Sequence, residues 1–179
     1  YSGQCFMSSL LGGRSGNRGR CAQTCRLPYS LVRDREKPTK QSLLLSCKDL
    51  CSLDLIPMLA ASGIDSLKIE GRMQSPRYTA GVVSVWIKYL DLYAREGEEG
   101  FAVAAEDRAK LLDLFDRGGQ TEGYYRKHNG RDMIVLGEKK EKRKPNLPYE
   151  EELEQRYVKT ERELPLRGSF RQRAGEPLC

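Results

Sequence analysis

Five cysteines carry the chemistry that this chain can do: Cys5, Cys21, Cys25, Cys47 and Cys51, set among glycine, small polar and basic residues. A thiolate beside positive charge is easily deprotonated, which is the form that binds soft metals and iron–sulfur centres. Cys21-Ala22-Gln23-Thr24-Cys25 spaces two thiols four apart, so a helical turn puts both on one side. Cys47 and Cys51 repeat that interval. It is not the two-residue gap of a zinc ribbon, whereas a cubane cluster takes four thiolates at wide separations. The plainer reading makes some of them small buried hydrophobes. Cys5, Cys21 and Cys25 escape it best, because their neighbours are polar; between Cys47 and Cys51 the residues alone leave both open. The sixth cysteine, Cys179, is far from the others and takes no role.

Two other groups accompany the thiols. Gly12-Gly13-Arg14-Ser15-Gly16-Asn17-Arg18-Gly19-Arg20 lets backbone amides approach an anion, with Arg14, Asn17 and Arg18 as the cofactor-binding candidates. No Gly-Lys-Ser/Thr follows, so this is not a nucleotide-hydrolase phosphate loop. Lys48, Glu70 and Arg72 are the catalytic candidates: Glu70 near Arg72 and Lys48 stays ionised, and Arg72 is able to grip a carboxylate or phosphate in bidentate fashion. The alternative for these three is a rim of ion pairs. A hydrolytic machine does not assemble: there is no His-Glu-x-x-His, and the single histidine, His128, has no nucleophile motif beside it.

The charge is uneven. The 179 residues hold 31 basic and 25 acidic side chains, a net +6. Residues 1–40 contain eight of the basic ones (Arg14, Arg18, Arg20, Arg26, Arg33, Arg35, Lys37, Lys40) against Asp34 and Glu36, so the rest is close to neutral. Such a segment suits RNA, a phosphate or a carboxylate; the bland reading is a solvated loop. No apolar run is long enough to span a bilayer. Six cysteines in a charged chain of this size need no disulfide staples, which points to thiolates in a reducing, cytoplasmic setting.

The elements that must position these groups follow from periodicity. Residues 1–42 read as a long functional loop with short helical turns. Residues 42–46, with Leu43-Leu44-Leu45, read as a buried strand, and residues 64–70 as a second. Between them Ser52 caps a helix over 53–62, interrupted or shifted by Pro57 and stopped by Gly63. Ser75-Pro76 opens the clearest helix, with Tyr78, Val82, Val85, Trp86, Tyr89, Leu90 and Tyr93 on its buried face. This strand–helix–strand–helix order is the unit of a parallel α/β sheet, where chemistry gathers at the carboxyl ends of strands. Lys48 and Glu70–Arg72 would then share one mouth. A further helix covers 105–116 and ends at Gly118-Gly119; residues 120–136 are a polar segment. Residues 137–149 form a charged linker between Gly137 and Pro148, and 150–179 the start of a small β domain.

At the level of whole blocks, the chain resembles the collagenase-like peptidase family U32. The resemblance lies in Tyr1-Ser2-Gly3-Gln4-Cys5-Phe6-Met7-Ser8-Ser9, Gly13-Arg14-Ser15-Gly16-Asn17-Arg18-Gly19, Cys21-Ala22-Gln23-Thr24-Cys25-Arg26 and Gly63-Ile64-Asp65-Ser66-Leu67-Lys68-Ile69-Glu70-Gly71-Arg72-Met73. It continues through Ser75-Pro76-Arg77-Tyr78, Gly123-Tyr124 and Gly130-Arg131-Asp132-Met133, covering most of residues 1–136. Gly175-Glu176-Pro177 is similar to the accessory β domain of long members. The resemblance implies an α/β fold, the C-terminal portion of a barrel-like catalytic domain, so that the chain is expected to be a fragment with exposed apolar edges and poor solubility alone.

It also implies oxygen-independent hydroxylation of tRNA, rRNA or a quinone precursor, with a 4Fe–4S cluster and, in some members, prephenate as co-substrate. The ligands would fall on Cys5 and Cys21, with Cys25, Cys47 and Cys51 as further candidates and one more family cysteine upstream of Tyr1. Many relatives carry proline where Cys47 stands. The partners implied are RNA, no membrane, and a homo- or heterodimer. The rival activity is true peptidase action on a protein or peptide substrate, with the cysteines structural. A non-enzymatic alternative is a zinc-stabilised RNA-binding module.

Overall fold

The computed structural model describes residues 5–128, 130–135 and 146–159. In chain order it holds helix α1 (Met7–Gly12), strand β1 (Asp49–Leu50), helices α2 (Ile56–Ala61), α3 (Pro76–Glu96) and α4 (Ala105–Leu114), strand β2 (Gln120–Thr121) and helix α5 (Leu147–Leu153). The fold is therefore mixed: a helical group packed beside one small parallel sheet, in which Asp49 pairs with Gln120 and Leu50 with Thr121. Single-turn 3-10 helices at Gly16–Arg18, Thr24–Arg26, Leu53–Leu55 and Arg131–Met133 fill the loops between.

Helix α3 forms as its sequence dictates. Ser75 is extended, its side chain accepts the Tyr78 N–H at 3.1 Å, and Pro76 occupies the first turn, where its missing donor costs nothing. One face is buried through Gly81, Val85 and Tyr89, with Val82, Trp86, Leu92 and Tyr93 partly covered. Leu90, expected on that face, is 37% exposed, and Leu92 packs in its stead. Leu53, Ile56, Val85, Tyr89 and Leu111 make the core cluster, extended by Phe101 and Val103. Tyr89 and Tyr93 both meet Phe101 edge-to-face at 6.1 Å. Pro57 does shift the second helix: a 3-10 turn at Leu53–Leu55 precedes α2, with Pro57 in its first turn, and Gly63 adopts the left-handed φ of +72° just beyond its end.

The helices are pinned by charge as well as by apolar area. Asp107, 4% exposed, accepts hydrogen bonds from the Tyr89 hydroxyl at 2.7 Å and Lys88 Nζ at 2.6 Å, and the Tyr89 oxygen accepts the Ala104 N–H at 2.8 Å. Burial opposes its ionisation, but these donors and the charges of Lys88 and Lys110 outweigh it and hold the carboxyl below its usual range. Arg108 binds Asp54 through both guanidinium nitrogens, and Arg117 binds Asp49 of β1 through its N–H at 2.9 Å and its side chain at 2.5 Å. Gly118, at φ +126°, lets the chain close on Val135, whose Cγ1 would sit 2.6 Å from an added Cβ.

Three expectations need correction. Residues 42–46 are not a strand: Leu43–Ser46 is a turn closed by the Ser46 N–H on the Leu43 carbonyl, and the strand starts later, at Asp49. Residues 64–70 are not a strand either; Ile64 is 48% and Leu67 39% exposed, and no ladder partner fills their backbone groups among the described residues. An extended apolar segment becomes a strand only beside another strand. The partner of β1 is instead β2, inside the segment read as merely polar. Residues 147–153 are a helix capped by Asn146 and packed on α3 through buried Tyr149 and Leu153, where a linker end and a β domain were expected. The bulk of that linker and residues 160–179 of the expected β domain lie outside the described residues.

Candidate functional site

The glycine- and arginine-rich segment is folded back on itself. Helix α1 ends at Gly13 in the left-handed region, the Arg14 Nε donates to the Arg20 carbonyl at 2.8 Å, and Gly19, at φ +65°, closes the turn after Gly16–Arg18. Only a residue without Cβ turns this way cheaply. The turn receives Arg72: its Nη1 donates to both the carbonyl and the Oδ1 of Asn17 at 3.1 Å, and a Cβ on Gly19 would sit 3.5 Å from the Arg72 carbonyl. Glu70 lies within 3.9 Å of Arg72 and 3.7 Å of Lys68. Two segments that sequence reasoning treated separately, the Gly-Arg loop and the Lys68–Arg72 run, thus form one basic surface centred on Arg72.

The Lys48 N–H donates to the Met133 carbonyl at 2.8 Å, Glu70 lies near Lys68, and Arg72 meets Asn17. The common mouth expected for Lys48, Glu70 and Arg72 rested on two adjacent strands, and the second does not form. Arg18 is the last residue of the 3-10 turn whose Asn17 receives Arg72.

Three cysteine-bearing segments are laced together. The Ser8 hydroxyl in α1, just after Cys5, accepts the Ala22 N–H at 2.8 Å, and α1 packs against the Thr24–Arg26 turn that contains Cys25. Arg26 then reaches across: its Nη1 donates to the Ser46 hydroxyl at 2.8 Å and the Cys47 carbonyl at 2.5 Å. Cys21 Sγ accepts the Gln23 N–H at 3.3 Å, and Gln23 itself sits at φ +54° to start the turn. Cys51 goes the other way. Its N–H pairs with Thr121 in the sheet, its side chain packs on the Leu53–Tyr89 core, and burial pushes its thiol pKa up. Cys5 and Cys47 are exposed, and all five thiols are free.

Among the described residues, no three Cys, His, Asp or Glu side chains gather closely enough to hold a metal ion. The segments are neighbours but the sulfurs do not form a closed set.

A second loop borders the Cys47 segment. Residues 120–128 leave β2, and residues 130–135 return to make an antiparallel bridge from Ile134 to Cys47 and a bond from the Val135 N–H to the Ser46 carbonyl at 2.7 Å. The ring of His128 meets Tyr124 edge-on at 5.9 Å. Sequence reasoning missed the roles of Arg26, Asp107 and Arg117; only Arg26 carried a signal, as a cation beside a cysteine. Among the described residues, no helix is long and apolar enough to cross a membrane.

Residues 1–134 match the sequence model of peptidase family U32. The chain is similar to tRNA hydroxylation protein P1 of Bacillus subtilis, 35% identical over 149 residues, covering 77% of this chain and 34% of that protein. It is 39% identical over 97 residues to 23S rRNA 5-hydroxycytidine C2501 synthase of Escherichia coli, covering 54% of this chain and 15% of that protein. A protein named collagenase from Porphyromonas gingivalis is 32% identical over 128 residues, 69% of this chain and 30% of its own length. The chain thus spans about a third or less of these relatives. No solved structure matches it.

Proposed function

The chain belongs to peptidase family U32, and from that premise we propose that it is the RNA-facing part of an enzyme that hydroxylates tRNA or rRNA in the cytoplasm. One observation carries the reading: the Gly-Arg turn is closed around Arg72, so arginines distant along the chain share one exposed surface. Phosphates are bound by such clusters of guanidinium groups and glycine-exposed amides. Arg14, Arg18 and Arg72 hold the backbone of the RNA, and Glu70 fixes Arg72 by its charge. The names of two relatives, a tRNA hydroxylation protein and an rRNA hydroxycytidine synthase, support RNA as substrate.

A 4Fe–4S cluster is a separate part of this proposal. Cys5, Cys21, Cys25 and one of Cys47 or Cys51 are its candidate ligands; the exposed, Arg26-tethered Cys47 segment lies on the side of the first three, while Cys51 faces the core. Among the described residues the sulfurs are not gathered into a site, so no chemical step is assigned to the cluster. Prephenate as co-substrate and a dimeric assembly remain part of the proposal on the same footing.

The test is made on the complete natural protein. Deleting its gene removes one added oxygen from a nucleoside of tRNA or rRNA, read by mass spectrometry, and the wild-type gene restores it. Arg72→Ala restores little. Unchanged RNA in the deletion strain, together with gelatin cleavage by the purified protein, makes the peptidase reading the right one. Anaerobic purification reads the metal: iron lost on Cys21→Ser supports the cluster, and bound zinc with RNA affinity but no turnover supports the non-enzymatic module.

A further inference from the structure

We propose that Tyr124–His128 is a stacking platform for unpaired RNA bases, standing beside the Cys47 segment; this rests on the RNA reading above and names the surface that would hold the substrate's bases.

The platform is held at both ends. At one end Gln120 and Thr121 pair with Asp49 and Leu50; at the other, Met133, Ile134 and Val135 bind Lys48, Cys47 and Ser46. Both ends therefore return to one short stretch, 46–50, which also carries the Arg26 tether. Gly123, at φ +64°, turns the chain against Leu50, whose Cδ1 would lie 2.9 Å from an added Cβ.

The rings it presents face water. Tyr124 is 63% and Tyr125 45% exposed, whereas Tyr89 of the core is 1% exposed. Adjacent exposed aromatic rings at the tip of a pinned loop offer flat faces without the entropy loss of a long side chain. His128 supports Tyr124 from the side. Arg126 and Lys127 flank the rings, tied at 3.2 Å to Glu122 and at 3.4 Å to Asp132, and both remain largely exposed.

Charge decides what the loop contributes. Residues 120–135 hold Arg126, Lys127 and Arg131 against Glu122 and Asp132, a net of +1, too small an excess to capture a phosphate backbone on its own. That excess sits in residues 14–40. The loop adds base stacking, which every base satisfies through its π-face once it is unpaired. Single-stranded loops and bulges, rather than duplex, fit this geometry.

The experiment measures binding of the complete protein to a fluorescent single-stranded RNA oligonucleotide and to the same sequence in a duplex. Tyr124→Ala and Tyr125→Ala each weaken single-strand binding by about five- to a hundred-fold, with the salt dependence unchanged. Tyr124→Phe and Tyr125→Phe retain affinity. Arg18→Ala instead lowers the salt slope by about one unit. Photocrosslinking of wild-type protein to 5-iodouridine RNA gives a second readout that needs no variant, and the crosslinks fall on the Tyr124–Tyr125 peptide. Wild-type protein that binds RNA, with alanine variants of unchanged affinity or crosslinks only elsewhere, overturns this inference alone. Wild-type protein with no RNA affinity overturns the RNA reading and this inference together.

Discussion

Arg26 is the side chain whose removal tests the site most sharply. It ties the Thr24–Arg26 turn to the lead-in of β1, through the Ser46 hydroxyl and the Cys47 carbonyl. Ser46 is 3% exposed, so without the guanidinium its hydroxyl has little water to turn to, and stranding such a group costs about 1–3 kcal/mol. The Cys47 carbonyl is at an exposed residue, water replaces its partner, and it adds little. Arg26→Ala therefore costs about 2 kcal/mol. Ser46→Ala removes the acceptor but leaves a guanidinium that water can serve, a cost of about 1 kcal/mol. The double variant costs about 2 rather than 3 kcal/mol, a coupling of about 1 kcal/mol. The loss is local. Hydrogen exchange in the complete protein reads it as about thirty-fold faster exchange at the Lys48 and Val135 amides, which pair with Met133 and Ser46, while α3 stays unchanged. Strictly additive single effects, or protection lost equally along α3, would refute the reasoning.

Two further outcomes follow from buried groups. Asp107 has a folded pKa below its reference of 3.8, so its stabilising contribution is present above that value and is lost as pH falls through the folded value. Urea denaturation at stepped pH shows acid loss below about pH 4 that Asp107→Asn, already destabilised at neutral pH, no longer displays. Cys51, packed on the core with its thiol raised by burial, is alkylated by iodoacetamide at pH 8 more slowly than the exposed Cys5 and Cys47. Peptide mass spectrometry orders the three, and a Cys51 that reacts first would place it outside the core.

Helices were legible in the residues wherever a cap and a period coincided. Ser75-Pro76 and the Val85–Tyr89 spacing identified α3 correctly, and Gly63 marked the stop after α2, because both signals are local. The sheet was not legible. Leu43-Leu44-Leu45 and Ile64–Glu70 have strand composition, yet pairing depends on which segment lies alongside, and β2 is only two residues of Gln and Thr. Leu90 illustrates the limit of period alone: Phe101, arriving from the turn before α4, decides which face of α3 is covered near its end. The site was read in part. Glycines and arginines announced the basic turn, but that Arg72 enters it through Asn17 is a contact across 55 residues. The family resemblance was visible in whole blocks, whereas convergence of the five sulfurs was an inference from spacing that the described geometry does not complete.

The parallel pair of Asp49 with Gln120 spans both long helices, so the chain between its ends must be closed before a single ladder bond forms. Closing a loop of that length costs on the order of 4 kcal/mol in chain entropy, against four ladder residues that return little by themselves. The helical hairpin therefore assembles ahead of the sheet, and the loops hanging from β1 gain their positions last. In a weakened variant the order reverses: on warming, the RNA affinity proposed above is expected to disappear while circular dichroism still records intact helices.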